Sequence, residues 1–271
     1  MPFVTANGVR LYYEEAGSGP PLVLLMGHGL DHTFWQYQVP VYCRHFRCVL
    51  IDNRGVGKSE VPRAGYVVED MAADTLGLMD ALDIATAHVS GFSMGGSIAM
   101  AMALRAPARV STLSLHSTTG RVYPFMKHRY RLLIGATRSG DAELWAEATV
   151  LTAFRDTYIN THDEVVEAET ARRREARTKM TADQVEGLIG HYHAFSTYDP
   201  WARLDELRAP TLITVGADDA VTPVEYSRDL HARIAGSVLH VIPDAPHRAL
   251  TFAAEAFNSI SLEFLLKHAG H

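Results

Sequence analysis

Short, unbroken apolar runs recur along the chain at residues 22–26, 48–51, 88–90, 110–115, 211–215 and 238–242. Runs of this length without polar alternation predict strands covered on both faces, the pattern of a parallel sheet. Between them, residues 66–82 and 94–105 carry apolar positions at helical spacing, so strand and helix alternate as in a doubly covered α/β sheet. Asn7-Gly8, set between Phe3-Val4 and residues 9–13, is a hairpin signal. The sheet is therefore expected to begin with an antiparallel edge.

The alternation stops after Thr119 and resumes near Pro210. Residues 121–204 show helical patterns, including 142–154 and 162–179, and no strand pattern. This predicts an α/β core built from residues 1–120 and 205–271, with a helical cap inserted over residues 121–204. Within the cap, Arg172-Arg173-Arg174 interleaves with Glu167, Glu169 and Glu175, which predicts a solvated helix face rather than an anion site.

At 271 residues the chain suits one large domain carrying an insertion. Lys and Arg number 25 against 31 Asp and Glu, a net charge of −6 that argues against nucleic acid as a partner. Cys43 and Cys48 are too few for a disulfide framework, and their spacing fits no zinc or redox motif, so both are expected as reduced structural thiols. Residues 1–17 lack the basic and apolar regions of a signal peptide. No run reaches the ~20 apolar residues of a membrane span. A cytoplasmic protein with no membrane contact is the expectation.

Chemistry enters at Gly91-Phe92-Ser93-Met94-Gly95-Gly96, a G-x-S-x-G sequence between an apolar strand and a helical pattern. That is the setting of a nucleophile elbow, in which a sharp strand-to-helix turn lifts the serine oxygen above the sheet. The backbone N–H of Met94, next after the serine and at the positive end of a helix, is a candidate oxyanion donor. A serine hydroxyl needs a base, and the base a carboxylate, in the chain order Ser, acid, His. Asp218-Asp219 follow the run at 211–215, and His247 follows the run at 238–242. Loops beyond the carboxyl ends of parallel strands converge on one edge of the sheet, so His247 is the candidate base and Asp218 or Asp219 the acid. His191 and His193 lack the further ligands of a metal site, and His116 ends a strand near the elbow. No metal is implied. Gly55-Val56-Gly57-Lys58-Ser59 has the tail of a phosphate loop, but Asp52 stands where a glycine is needed; Gly27-His28-Gly29 lacks the third glycine of a dinucleotide fingerprint, replaced by His32. No nucleotide cofactor is implied either.

On residues 22–35, residues 51–59, the elbow, residues 216–223 and Pro246-His247, the sequence resembles the α/β-hydrolase fold family from its N-terminal hairpin to its C-terminal helix. The resemblance implies an α/β-hydrolase fold: an eight-stranded, mostly parallel sheet with helices on both faces, a helical cap between the sixth and seventh strands, and no cofactor. In the family pattern the acid stands three residues after the glycine and four before the proline, which selects Asp219. For the second oxyanion donor, the family's H-G-x motif fits Met26-Gly27-His28 or His28-Gly29-Leu30. Spacing back from Trp35 favours the backbone N–H of His28, with Leu30 the alternate and the His28 imidazole a pocket wall. The implied activity is a serine hydrolase that cleaves a small-molecule carboxylic ester or lactone through an acyl-enzyme on Ser93. Its layout is similar to 3-oxoadipate enol-lactonases and related ester or amide hydrolases. Carbon–carbon bond hydrolysis, amide hydrolysis and perhydrolysis share the constellation, and a ligand-binding module or receptor that keeps the fold is the rival from another class. Trp35, Phe125, Trp145 and Tyr192 are the candidate pocket residues, with Tyr123, Met126, Phe154, Tyr158 and Phe195 further cap positions. Arg121 and Arg129 are candidates to hold a substrate carboxylate, with exposed surface the expected fate.

Overall fold

A computed structural model describes residues 2–270; residues 1 and 271, the outer limits of the expected core segments, lie outside it. Its strands are β1 (Phe3–Ala6), β2 (Val9–Ala16), β3 (Pro21–Leu25), β4 (Arg47–Ile51), β5 (Ala87–Phe92), β6 (Val110–His116), β7 (Thr211–Gly216) and β8 (Val238–Ile242). They form one eight-stranded sheet in the order β1-β2-β4-β3-β5-β6-β7-β8. β1 pairs antiparallel with β2, and β2 with β4, while every later pairing is parallel. The expected antiparallel edge is present, turned at Asn7-Gly8.

The helices are α1 (Val39–Tyr42), α2 (Val68–Ala81), α3 (Met94–Arg105), α4 (Pro124–Ser139), α5 (Ala142–Ala153), α6 (Asp156–Thr161), α7 (Asp163–Lys179), α8 (Ala182–Thr197), α9 (Val224–Arg233), α10 (Ala249–Phe252) and α11 (Ala254–Lys267). Burial on both faces explains the unbroken apolar runs. Along β3, Leu22 and Leu24 join one cluster with Tyr42 of α1 and Phe257 of α11. Val23 and Leu25 point the other way and join Met71 of α2 and Ile98 of α3, as the two-residue side-chain period demands. β8 departs from the expected pattern. It is the sheet edge, so Val238 and Val241 are exposed and its apolar run is only half covered.

α4 to α8 lie between β6 and β7 and contribute no strand to the sheet. Local chemistry sets several of their limits. Asp141 accepts the Glu143 and Leu144 N–H groups at the start of α5, and Thr181 with Gln184 forms a capping box at the start of α8. α4 turns Met126, Tyr130 and Leu133 inward at helical spacing. No helix among the described residues is long and apolar enough to cross a membrane. Cys43 and Cys48 are free, and burial pushes the Cys48 thiol pKa up to about 12, which keeps it protonated and unreactive.

Candidate active site

Ser93 stands between β5 and α3 with φ 54° and ψ −119°, a conformation that L side chains rarely adopt. Its neighbours hold it there. The Ser93 N–H donates to the His116 carbonyl at 2.8 Å, and the Ser93 carbonyl accepts from Thr118 Oγ1 at 2.8 Å and from the Gly96 N–H at 2.9 Å. The turn is so tight that a Cβ on Gly91 would overlap the Gly95 carbonyl, which is why glycine stands there.

Three loops from the carboxyl edge of the sheet bring their groups to this serine. His247 Nε2 lies 3.2 Å from Ser93 Oγ, and its Nδ1 lies 2.8 and 2.9 Å from the two oxygens of Asp219. Asp219 is fully buried and also accepts the Val221 N–H (2.9 Å), the Thr222 N–H (2.8 Å) and Thr222 Oγ1 (3.0 Å). Burial opposes its ionisation, but the His247 ring and the Thr222 hydrogen bonds outweigh burial and hold its carboxyl below the usual range. A carboxylate accepts from Nδ1–H, so the lone pair of Nε2 is the one facing Ser93. Asp218, the neighbouring candidate, has no hydrogen bond or ion pair with His247 among the described residues; its N–H donates to the Ala245 carbonyl at 2.9 Å.

The loop after β3 passes beside the serine, close enough that a Cβ on Gly27 would sit 3.1 Å from the Ser93 Cβ. Its N–H groups have different fates. Leu30 donates to the Gly27 carbonyl at 3.3 Å and Gly29 to His191 Nδ1 at 3.0 Å, whereas the His28 N–H has no partner among the described residues. Leu30, the alternate donor, is thus already engaged. The Met94 N–H, at the first position of α3, likewise has no partner among the described residues. His191 receives Gly29 at Nδ1 and donates from Nε2 to the Arg54 carbonyl at 2.6 Å, so it ties α8 to this loop as a neutral ring. Burial pushes its pKa down to about 4. The His28 ring packs against Tyr192 at 5.0 Å and Tyr130 at 5.8 Å. Burial, then the nearby His247, push its pKa down to about 3, so it stands neutral as a wall. His116 is a core residue bridging Ser90 Oγ and Thr214 Oγ1.

A cavity of about 250 Å³ opens above Ser93 and His247. Trp145 and Tyr192 line it, with Phe154, Tyr130 and Leu133. Two expected pocket residues do not. Trp35 is fully buried in the cluster with Leu22, Tyr42 and Phe46; its neighbour Phe34 reaches the cavity instead. Phe125 lies one position off the inward stripe of α4, is 60% exposed, and rests beside Arg129. Tyr123, Met126, Tyr158 and Phe195 do not line the cavity either.

The arginines depart further from expectation. Arg129 is buried, donating to the carbonyls of Ala220 (2.5 Å) and Val221 beside Asp219. Arg121 lies over the Tyr123 and Trp201 rings, outside the cavity. Arg173 is not on a solvated face, while Arg172 is exposed as expected but also reaches the cavity. They line the cavity and bind Glu169, which is buried and also bound by Arg248 at 2.5 Å. Arg174 behaves as expected, pairing with Glu143 in solvent. The spacing of Glu169 to Arg172 and Arg173 is visible in the sequence, but nothing there links it to Arg248.

A family model described as alpha/beta hydrolase fold matches residues 20–254. A protein of Azorhizobium caulinodans whose name proposes a carbamate hydrolase, RutD, is 28% identical over 96% of this chain and 94% of its own. A 2-hydroxy-6-oxo-6-phenylhexa-2,4-dienoate hydrolase of Burkholderia cepacia is 28% identical over 97% of this chain and 95% of its own. The crystal structure of an enol-lactonase from Burkholderia xenovorans superposes with a TM-score of 0.85 at 29% identity, covering 98% of this chain and all of that one.

Proposed function

The chain belongs to the α/β-hydrolase fold family, and from that premise we propose that it is a serine hydrolase cleaving a carboxylic ester or lactone. The observation that carries this reading is the continuous line from Ser93 Oγ through His247 to Asp219 at 3.2 and 2.8 Å. His247 Nε2 takes the hydroxyl proton as Ser93 Oγ attacks the carbonyl carbon, and Asp219 steadies the imidazolium. The carbonyl oxygen becomes an oxyanion held by the free N–H groups of Met94 and His28. Collapse breaks the bond to the leaving oxygen, which receives the proton from His247. Water then gives its proton to the same nitrogen, attacks the acyl-enzyme and restores Ser93. The helices α4 to α8 act as the cap that walls this chamber and limits water.

The likeness to an enol-lactonase at 29% identity supports a lactone or ester. The relatives named for carbamate and carbon–carbon bond hydrolysis supply the second reading, which uses the same serine. A fluorophosphonate probe separates the serine hydrolase from a non-catalytic receptor with a dead site: it is expected to label the protein stoichiometrically and to miss Ser93→Ala. A panel of ester, lactone, carbamate and vinylogous diketone substrates then decides the bond. Adduct on another serine overturns the assignment.

A further inference from the structure

Arg172, Arg173 and Arg248 line the cavity that holds Ser93 and His247, and all three converge on Glu169, which stands behind them and does not line it. One carboxylate balances one guanidinium, and with Arg172 half in solvent the excess positive charge on this wall rests on Arg173 and Arg248. The rings of Phe34, Phe154 and Phe252 flank the guanidinium groups at 5.2 to 5.8 Å. Cations gathered in such a setting are costly unless something pairs with them. The cost is visible at Arg248: burial first, then repulsion from Arg173 and Arg172, lowers its pKa to about 10 despite Glu169. A tie between α7 and the loop after His247 requires only Arg248 and Glu169, so the extra arginines need another reason. Donors also remain. Arg173 uses only Nε and Arg248 only one Nη within the described chain, and their other nitrogens keep some accessible surface. The chain as a whole carries −6, so nothing in its overall charge favours anions; the attraction is local.

We propose that this wall is a carboxylate subsite, and that the substrate is an anionic ester or lactone whose second, non-reacting carboxylate is held by the free edges of Arg173 and Arg248 while its carbonyl lies at Ser93. The planar guanidinium fork matches a carboxylate in a way a lysine would not. The claim rests on the hydrolase reading for the reaction, but not for the binding.

Two substrate pairs test it, one with the acid on the acyl side and one with it on the leaving side: mono-4-nitrophenyl glutarate against 4-nitrophenyl pentanoate, and 3-acetoxybenzoate against its methyl ester. The anionic member of one pair is expected to show kcat/KM higher by at least about tenfold, a preference that high salt narrows. Arg173→Gln and Arg248→Gln should each cut that preference about tenfold or more, mainly through KM, with Arg173→Lys restoring part of it. Glu169→Gln removes the competing carboxylate and should preserve or enlarge the preference, with melting temperature checked beside it. Independently, calorimetry should detect glutarate binding to Ser93→Ala and not to Ser93→Ala carrying Arg173→Gln. Ratios near one in both pairs, with no glutarate binding, overturn the subsite. Glutarate binding without Ser93-dependent hydrolysis of either pair instead overturns the reaction and leaves the subsite standing.

Discussion

Asp219→Asn changes one atom and should disable the base, and the hydrogen bonds around the residue say why. Asp219 Oδ1 accepts two backbone N–H groups, from Val221 and Thr222. The asparagine must put its carbonyl oxygen there, because an NH2 group facing two donors would leave three buried hydrogens unpaired. Its amide nitrogen then takes the place of Oδ2, 2.8 Å from His247 Nδ1, and donates to that atom. The imidazole proton moves to Nε2 and points at Ser93 Oγ, so the ring has no lone pair with which to take the hydroxyl proton. A wrong tautomer of this kind costs about 10⁴ in kcat, or about 5.4 kcal/mol of barrier. The backbone bonds survive, so the fold should too. Steady-state kcat on the best ester, the rate of fluorophosphonate labelling and the melting temperature are measured together. Asp218→Asn serves as the control, expected within about threefold of wild type since a partly exposed group without a partner in the site does little. A kcat within tenfold of wild type for Asp219→Asn, or an equal loss for Asp218→Asn, refutes the reasoning.

Other expectations follow from the same geometry. Although burial opposes its ionisation, the arginines hold the Glu169 carboxyl well below the usual range; its charge therefore stabilises the fold above the unfolded value of about 4.3, and that contribution is lost as pH falls through the lower folded value. The melting temperature of wild type should accordingly drop more steeply on acidification below about pH 5 than that of Glu169→Gln, and equal slopes count against the ion cluster. His191→Leu strands the Gly29 N–H and the Arg54 carbonyl, which should cost about 1–3 kcal/mol in a denaturant melt. It should also lower kcat by at least about tenfold through the His28 donor, with Ser93 still labelled. Tyr192→Ala opens the cavity wall and should raise the relative kcat/KM for longer acyl chains. As a buried aromatic it should also lose about 3–5 kcal/mol of stability, so an unchanged ranking of chain lengths would place Tyr192 in packing alone.

What the sequence disclosed follows from what periodicity and spacing can encode. Continuous apolar runs betrayed strands buried on both faces, and β8 misled only because a strand at the sheet edge carries the same residues with positions exposed on both of its faces. Ser93, Asp219 and His247 were legible because each sits at a fixed offset from a strand end and a glycine or proline. The walls of the cavity were not. A Glu followed at i+3 and i+4 by arginines reads the same whether the pair lies in water or under a cap, and only the fold reveals that Arg248 arrives from the far side to meet Glu169. Trp35 and Phe125 failed as pocket residues for a related reason: aromatic character marks burial, not which side of a turn or helix faces the chamber. Leu30 and His28 compete as donors in the sequence because spacing alone does not show that the Gly27 carbonyl accepts the Leu30 N–H.

The most direct test of the central claim is the covalent intermediate itself. Rapid mixing with a 4-nitrophenyl ester, acid quench and peptide mass spectrometry should find the acyl group added once, on the peptide containing Ser93. A burst of 4-nitrophenol of matching stoichiometry should precede steady turnover. Acylation of any other residue, or hydrolysis undiminished in Ser93→Ala, would contradict the account.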